Sequence, residues 1–90
     1  MEIAANLIVK GRVQGVGFRY FVYERATALG LTGFVHNCFN GEVEIEAQGD
    51  RSMVEELIKD IKVGPRSARV ADVMVEWKNP NPSVSTFSIR

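Results

Sequence analysis

The segment VKGRVQGVGFRYF, Val9–Phe21, holds the residues of this chain whose types and spacing could do chemistry. Gly15, Gly17 and Arg19 stand where an apolar run, Leu7, Ile8 and Val9, gives way to a helical pattern. The first backbone N–H groups of a helix have no partner inside it, and they lie at the positive end of its dipole. Glycines at such a turn allow left-handed dihedrals, so that successive N–H groups converge on one oxyanion with no Cβ in the way. Arg19 falls in the first helical turn, where the dipole disfavours a cation. A guanidinium there is accounted for if it shares a bound anion with the N–H groups, and its fork matches the geometry of a phosphate. The residues alone support equally a tight corner with Arg19 solvated. Two familiar nucleotide motifs are excluded: the third glycine of a dinucleotide fingerprint is missing, and so is the Gly-Lys-Ser/Thr ending of a triphosphate loop.

A second group of candidates lies at His36, Asn37 and Cys38. An asparagine amide both donates and accepts, so Asn37 could hold a water in a fixed orientation. Asparagine is also common near turns, and on the residues alone that role has the stronger claim. His36 is the sole histidine, but strand alternation turns it to the face opposite Asn37, which argues against a histidine base. Cys38 is the sole cysteine. A cysteine-phosphatase nucleophile would need an arginine six positions on, where this chain has Glu44, so Cys38 reads as an ordinary thiol. No His, Cys and Asp cluster shows metal-ligand spacing. Tyr20, Tyr23 and Trp77 sit on different elements and make no base-stacking platform; Trp77 reads as packing.

The elements that must position these groups follow from periodicity. EIAANLIVK alternates and predicts a strand with Ile3, Ala5, Leu7 and Val9 on one face. GFRYFVYERATALG predicts a helix with Phe18, Phe21, Val22, Arg25, Ala26 and Leu29 on one side and Gly30 just past its end. TGFVHNCFNGEVEIEAQG predicts a hairpin turning at Asn40-Gly41, with Val43, Ile45 and Ala47 inward and Glu42, Glu44, Glu46 and Gln48 outward. DRSMVEELIKDIKVGP predicts a second helix, opened by a capping box of Ser52 and Glu55 and ended by Gly64-Pro65; its apolar stripe is Val54, Leu57, Ile58 and Ile61. ARVADVMVEWK predicts another strand, NPNPS a rigid loop, and TFSIR a short last strand. The order β-α-β-β-α-β, plus that short strand, predicts an α+β ferredoxin-like sandwich: an antiparallel sheet with both helices on one face. A carboxylate after the last strand could pair with an arginine near the site, a point the sequence leaves open.

Length and composition bound the function. Ninety residues argue for one domain, 1–90, with one modest core. Lysine and arginine balance aspartate and glutamate, for a formal net charge of zero, which argues against nucleic acid or an anionic membrane as partner. A single cysteine allows no intrachain disulfide and fits a reducing compartment. The start MEIAANLIV has no basic stretch like that of a signal peptide, and no apolar run is long enough to span a bilayer. The expectation is a cytoplasmic monomer.

VKGRVQGVGFR, Val9–Arg19, resembles the first signature of the acylphosphatases along its whole length, and GFVHNCFNGEVEIEAQG, Gly33–Gly49, resembles the second. The similarity covers essentially the whole chain; GPRSARV, Gly64–Val70, and the short C-terminal strand are also family-like. His36 departs from the pattern, since the family usually carries lysine, arginine, glutamine or a similar residue there. That bears on local electrostatics and substrate preference, not on the core chemistry. The resemblance implies a small enzyme that hydrolyses the carboxyl–phosphate bond of acyl phosphates, with no metal and no cofactor. The family's phosphate-binding arginine corresponds to Arg19, its water-positioning asparagine to Asn37, and its backbone cradle to Gly15, Val16, Gly17, Phe18, Arg19 and Tyr20. The second signature thereby reverses the weighting on Asn37. The alternative is a non-catalytic module of this fold that binds an anionic ligand or regulates a partner. An RNA-binding sheet is disfavoured, because VEIEAQG carries carboxylates where such a sheet needs basic and aromatic residues.

Overall fold

A computed structural model describes all ninety residues, Met1–Arg90. The elements run β1 (Glu2–Arg12), α1 (Phe18–Ala28), β2 (Thr32–Asn37), β3 (Val43–Asp50), α2 (Arg51–Val63), β4 (Arg69–Lys78) and β5 (Phe87–Ile89). The sheet order is β4-β1-β3-β2-β5. Neighbours among the four longer strands are antiparallel, as the element order predicts, while β5 pairs parallel to β2 through Gly33–Phe87, Phe34–Ser88 and Val35–Ile89. The sheet is therefore mixed, an antiparallel ferredoxin-like sheet extended by one parallel edge strand.

Alternation decides what each strand shows to either side. Leu7, Ile45 and Val35 lie in register across β1, β3 and β2, and all three are fully buried against the helices. One step along, Val9 and Val43 are buried likewise, and Asn37 is their partner on β2. Asn37 thus occupies a core-facing register position at the end of its strand. The helices complete the core with Phe18, Val22 and Ala26 from α1 and Val54, Leu57, Ile58 and Ile61 from α2. Arg25, on the apolar side of α1 in the helical wheel, bonds Asp60 of α2 at 2.8 Å instead of entering the core.

Two local details position the site. Helix α1 closes with Gly30 in the left-handed region: Leu31 N–H donates to the Ala26 carbonyl and Gly30 N–H to that of Thr27, at 2.9 and 3.0 Å. This turns the chain straight into β2. Gly33 then lets β2 approach β3 closely, since a Cβ there would lie 1.9 Å from the Glu46 carbonyl oxygen.

Two sequence expectations are corrected. The cap of α2 is Asp50, not Ser52: an Asp50 carboxylate oxygen accepts both the Ser52 N–H, at 3.0 Å, and the Ser52 hydroxyl, at 2.6 Å. Glu55, the expected reciprocal partner, pairs with Arg51 one turn before it. An ionised carboxylate just ahead of the helix is the stronger acceptor and takes the capping position. Gln48, expected outward and solvated, is buried. The loop after β4 folds over it, and its side chain donates to the Asn81 carbonyl and accepts the Asn81 N–H, both at 2.8 Å.

Candidate active site

The turn between β1 and α1 is built on two left-handed glycines, Gly15 at φ 72° and Gly17 at φ 77°. Gly17 caps α1 with no side-chain hydrogen bond, and the first turn of the helix carries no acidic residue. None of the hydrogen bonds made by turns, loops and caps is donated by a backbone N–H of residues 14–20. A Cβ built on Gly15 or Gly17 would meet no atom of the protein within 4 Å, so packing does not demand glycine at either position. The positive φ does, and the space beyond is open to a ligand.

A cavity of about 210 Å³ lies over this turn, lined by Val13, Gly15, Gly17, Phe18, Arg19, Tyr20, Asn37 and Ile89. It brings together, from two distant segments, the glycine turn, Arg19 and Asn37. The Arg19 guanidinium is exposed, and its Nη1 donates to the main-chain oxygen of Arg90 at 3.0 Å, the terminal pairing that the sequence left open. Asn37 has a buried Oδ1 with no hydrogen-bond partner. A buried, unpaired amide oxygen is costly, and the residue that carries it lines this small cavity. Of the expected cradle, Val16 is outside the lining and packs against the core, and the Phe18 side chain is itself in the core. Both bring only backbone to the turn.

A family comparison bears directly on this geometry: the acylphosphatase family model matches residues 5–89. The chain belongs to the acylphosphatase family. An acylphosphatase of Caldanaerobacter subterraneus subsp. tengcongensis is 48% identical over 89 residues, covering 99% of both chains. The crystal structure of acylphosphatase from Bacillus subtilis is similar at a TM-score of 0.94, with 38% identity and 98% of each chain covered. An acylphosphatase structure from Coxiella burnetii gives a TM-score of 0.93 at 37% identity, covering 99% of this chain and 93% of that one. This is an enzyme family, and hydrolysis of acyl phosphates is its activity.

Three residues that sequence reasoning missed belong to this candidate site: two hold it in place and one lines it. The Gln14 amide donates to the carbonyls of Cys38 and Glu42, at 2.7 and 2.8 Å, and so ties the glycine turn to the hairpin that carries Asn37. The Ser67 hydroxyl donates to the Val16 carbonyl at 2.6 Å and anchors the turn from the other side. Ile89 reaches the cavity because β5 pairs with Val35. Gln14 and Ser67 each lie inside a segment that resembles the family, but their partners are 24 to 51 residues away.

His36 points away from the cradle, as alternation predicts, and lies over the open sheet face. There it lines a second cavity of about 310 Å³ with Arg19, Phe34, Asn37 and Arg90, whose guanidinium sits 4.2 Å from the Phe34 ring centre. His36 Nε2 is 2.6 Å from Glu44 Oε1, and its Nδ1 is 3.2 Å from the Asn37 carbonyl. Asn6 donates to Glu44 Oε2 at 2.8 Å. These bonds, the Asn6 amide first and His36 next, hold the Glu44 carboxyl below the usual carboxylate range. Cys38 is half-buried; burial, then the charges of Glu44 and Glu42, push its thiol up. A raised thiol is a poor nucleophile, in keeping with the ordinary role read from its spacing. His36, Cys38 and Glu44 bring an imidazole nitrogen, a sulfur and a carboxylate oxygen within 4.8 Å of one another, a cluster hidden in the sequence because Glu44 arrives from across the hairpin.

No helix is long and apolar enough to cross a membrane.

Proposed function

We propose that the enzyme hydrolyses acyl phosphates by in-line attack of water, with no metal, using Arg19 and the backbone of Gly15–Tyr20 to hold the phosphoryl group and Asn37 to position the water. The observation that carries this reading is one small cavity lined by the glycine turn, whose backbone N–H groups are unpaired, by Arg19, and by Asn37, whose amide oxygen has no partner.

An acyl phosphate is a mixed anhydride, and its leaving group is a carboxylate, stable as an anion near neutral pH. No general acid is required to protonate it. Phosphoryl transfer through a loose transition state asks little of a general base, because the nucleophile is barely bonded at the barrier. What remains is to hold the phosphate, offset the charge growing on its equatorial oxygens, and place a water in line. The N–H groups and Arg19 suit the first two tasks. The Asn37 Oδ1 can accept from a water whose lone pair then points at phosphorus, and a substrate oxygen can take that water's proton. The residues lining the cavity include no histidine, cysteine or carboxylate, the side chains that hold a catalytic cation.

The test is hydrolysis of a simple aromatic acyl phosphate followed by ultraviolet absorbance. Turnover should be competitively inhibited by inorganic phosphate and should survive exhaustive chelation. Loss of turnover with EDTA, restored by a divalent ion, would overturn the metal-free chemistry; turnover indifferent to millimolar phosphate would overturn the cradle.

A further inference from the structure

The open face of the sheet carries the His36, Cys38 and Glu44 cluster, which the hydrolysis described above does not use. His36 near the end of β2 and Cys38 just past it are two apart and bring their ligand atoms together; Glu44 is the register partner of His36 on β3. A neutral imidazole has one N–H, yet both ring nitrogens of His36 face oxygen acceptors, the Asn37 carbonyl at 3.2 Å and Glu44 Oε1 at 2.6 Å. With the N–H on Nε2 the imidazole donates to Glu44; with it on Nδ1 the donor turns to the Asn37 carbonyl, and Nε2 is free to act as a metal ligand beside the carboxylate.

The geometry points to a binding site for one borderline-soft divalent cation of the Zn²⁺ class, held by His36 Nε2, Cys38 Sγ and Glu44 Oε1. The surroundings are those of a ligand set already oriented. A ligating histidine almost always gives its other ring N–H to a carbonyl or carboxylate, as Nδ1 can to Asn37. The Glu44 carboxylate has its second oxygen engaged by Asn6 at 2.8 Å, which leaves Oε1 to the cluster. Asn6 is fixed in turn by Glu46 at 2.7 Å. Tetrahedral coordination with bonds of about 2.0–2.3 Å would separate the ligand atoms by roughly 3.3–3.6 Å. The three atoms lie within 4.8 Å of one another; binding would part Nε2 and Oε1, now 2.6 Å apart, and draw in any wider pair. His36 and Glu44 are about a third exposed, so a hydrated ion can enter and keep water as its fourth ligand. A thiolate with an imidazole selects against Mg²⁺ and Ca²⁺. On binding, the Cys38 Sγ–H proton leaves to solvent, the neutral imidazole carries its one N–H on Nδ1, and the ion takes the lone pair of Nε2. Because the ligands flank Asn37 in sequence, the ion would brace the strand end that carries it.

The test is a titration of the untagged protein with Co²⁺, read by the thiolate-to-cobalt charge-transfer absorption, with Zn²⁺ as competitor. One equivalent should saturate the band, and Zn²⁺ should bleach it and raise the melting temperature. Cys38→Ala should abolish the band. His36→Gln and Glu44→Gln should each weaken Zn²⁺ binding, and Asn6→Ala should weaken it by roughly tenfold or more. Circular dichroism and retained acyl phosphate hydrolysis in Cys38→Ala and His36→Gln would show that the fold persists. Absence of a band in the wild type, or a band unchanged in both His36→Gln and Glu44→Gln, would overturn the site.

Discussion

Arg19 and Asn37 meet the same cavity from different elements and face different demands. The charge that Arg19 would hold is present in the bound substrate and grows as the bond to the leaving group breaks. Replacing Arg19 by alanine should therefore damage binding and turnover together, lowering kcat/KM by roughly two to three orders of magnitude. Lysine should rescue poorly, since a point charge cannot reproduce a two-pronged grip. Steady-state kinetics and phosphate inhibition on both variants check this; an Arg19→Ala protein that still bound phosphate normally would remove the cradle. The residues of the site were largely legible in the sequence, because a glycine turn that opens a helix has few uses and the two signatures narrow them. The unpartnered Asn37 oxygen was not legible, since alternation tells which face a residue takes and not what it meets there.

The ties between elements matter as much as the groups they carry. Gln14 joins the glycine turn to the hairpin through two carbonyls, and a Gln14→Ala variant would leave each of them with only its backbone donor, Gly41 N–H on Cys38 and Cys38 N–H on Glu42. Loss of the pair should lower stability by about 1–3 kcal/mol. It should also lower kcat by about ten- to a hundredfold, because the phosphate cradle and the water site would no longer be held in register. Thermal melts and kcat, measured on the same preparation, check both; a variant that lost stability with kcat intact would make Gln14 a structural residue only. At this scale the sequence was informative about local order and blind to long-range order. Amphipathic stripes and Asn40-Gly41 marked the helices and the hairpin. The cap of α2 was misplaced because Asp50 and Ser52 are both good caps, and the choice rests on which of them lies outside the first turn. The parallel pairing of β5 and the burial of Gln48 depend on how the loop after β4 returns across the sheet, and no local pattern records that path.

For the molecule as a whole, two carboxyls bear on the response to acid, Glu44 on the open sheet face and Asp50 at the start of α2. Glu44 is held below the usual carboxylate range, by the Asn6 amide first and His36 second, and Asp50 is held low by Ser52. A depressed carboxyl stabilises the fold above its unfolded pKa, and that contribution is lost as pH falls through the folded value. Melting temperature should accordingly hold near neutrality and decline on the acid side, below about pH 5. Asn6→Ala removes the largest cause at Glu44 and should shorten that acid limb. Parallel melting curves for wild type and Asn6→Ala from about pH 3 to 7 would contradict the assignment.

The central claim is that Asn37 positions the water and does not hold the substrate, and kinetics of Asn37→Ala test it most directly. Asn37 lines the cavity and has an amide oxygen with no partner, while the Arg19 guanidinium bonds the main-chain oxygen of Arg90 and not Asn37. The expected result is a KM and a phosphate inhibition constant close to wild type, with kcat lower by roughly two to three orders of magnitude, about 3–4 kcal/mol of transition-state stabilisation. Circular dichroism and an unchanged melting temperature would show that the fold is intact. A folded Asn37→Ala protein with normal kcat, or one whose loss lay wholly in KM, would contradict the account.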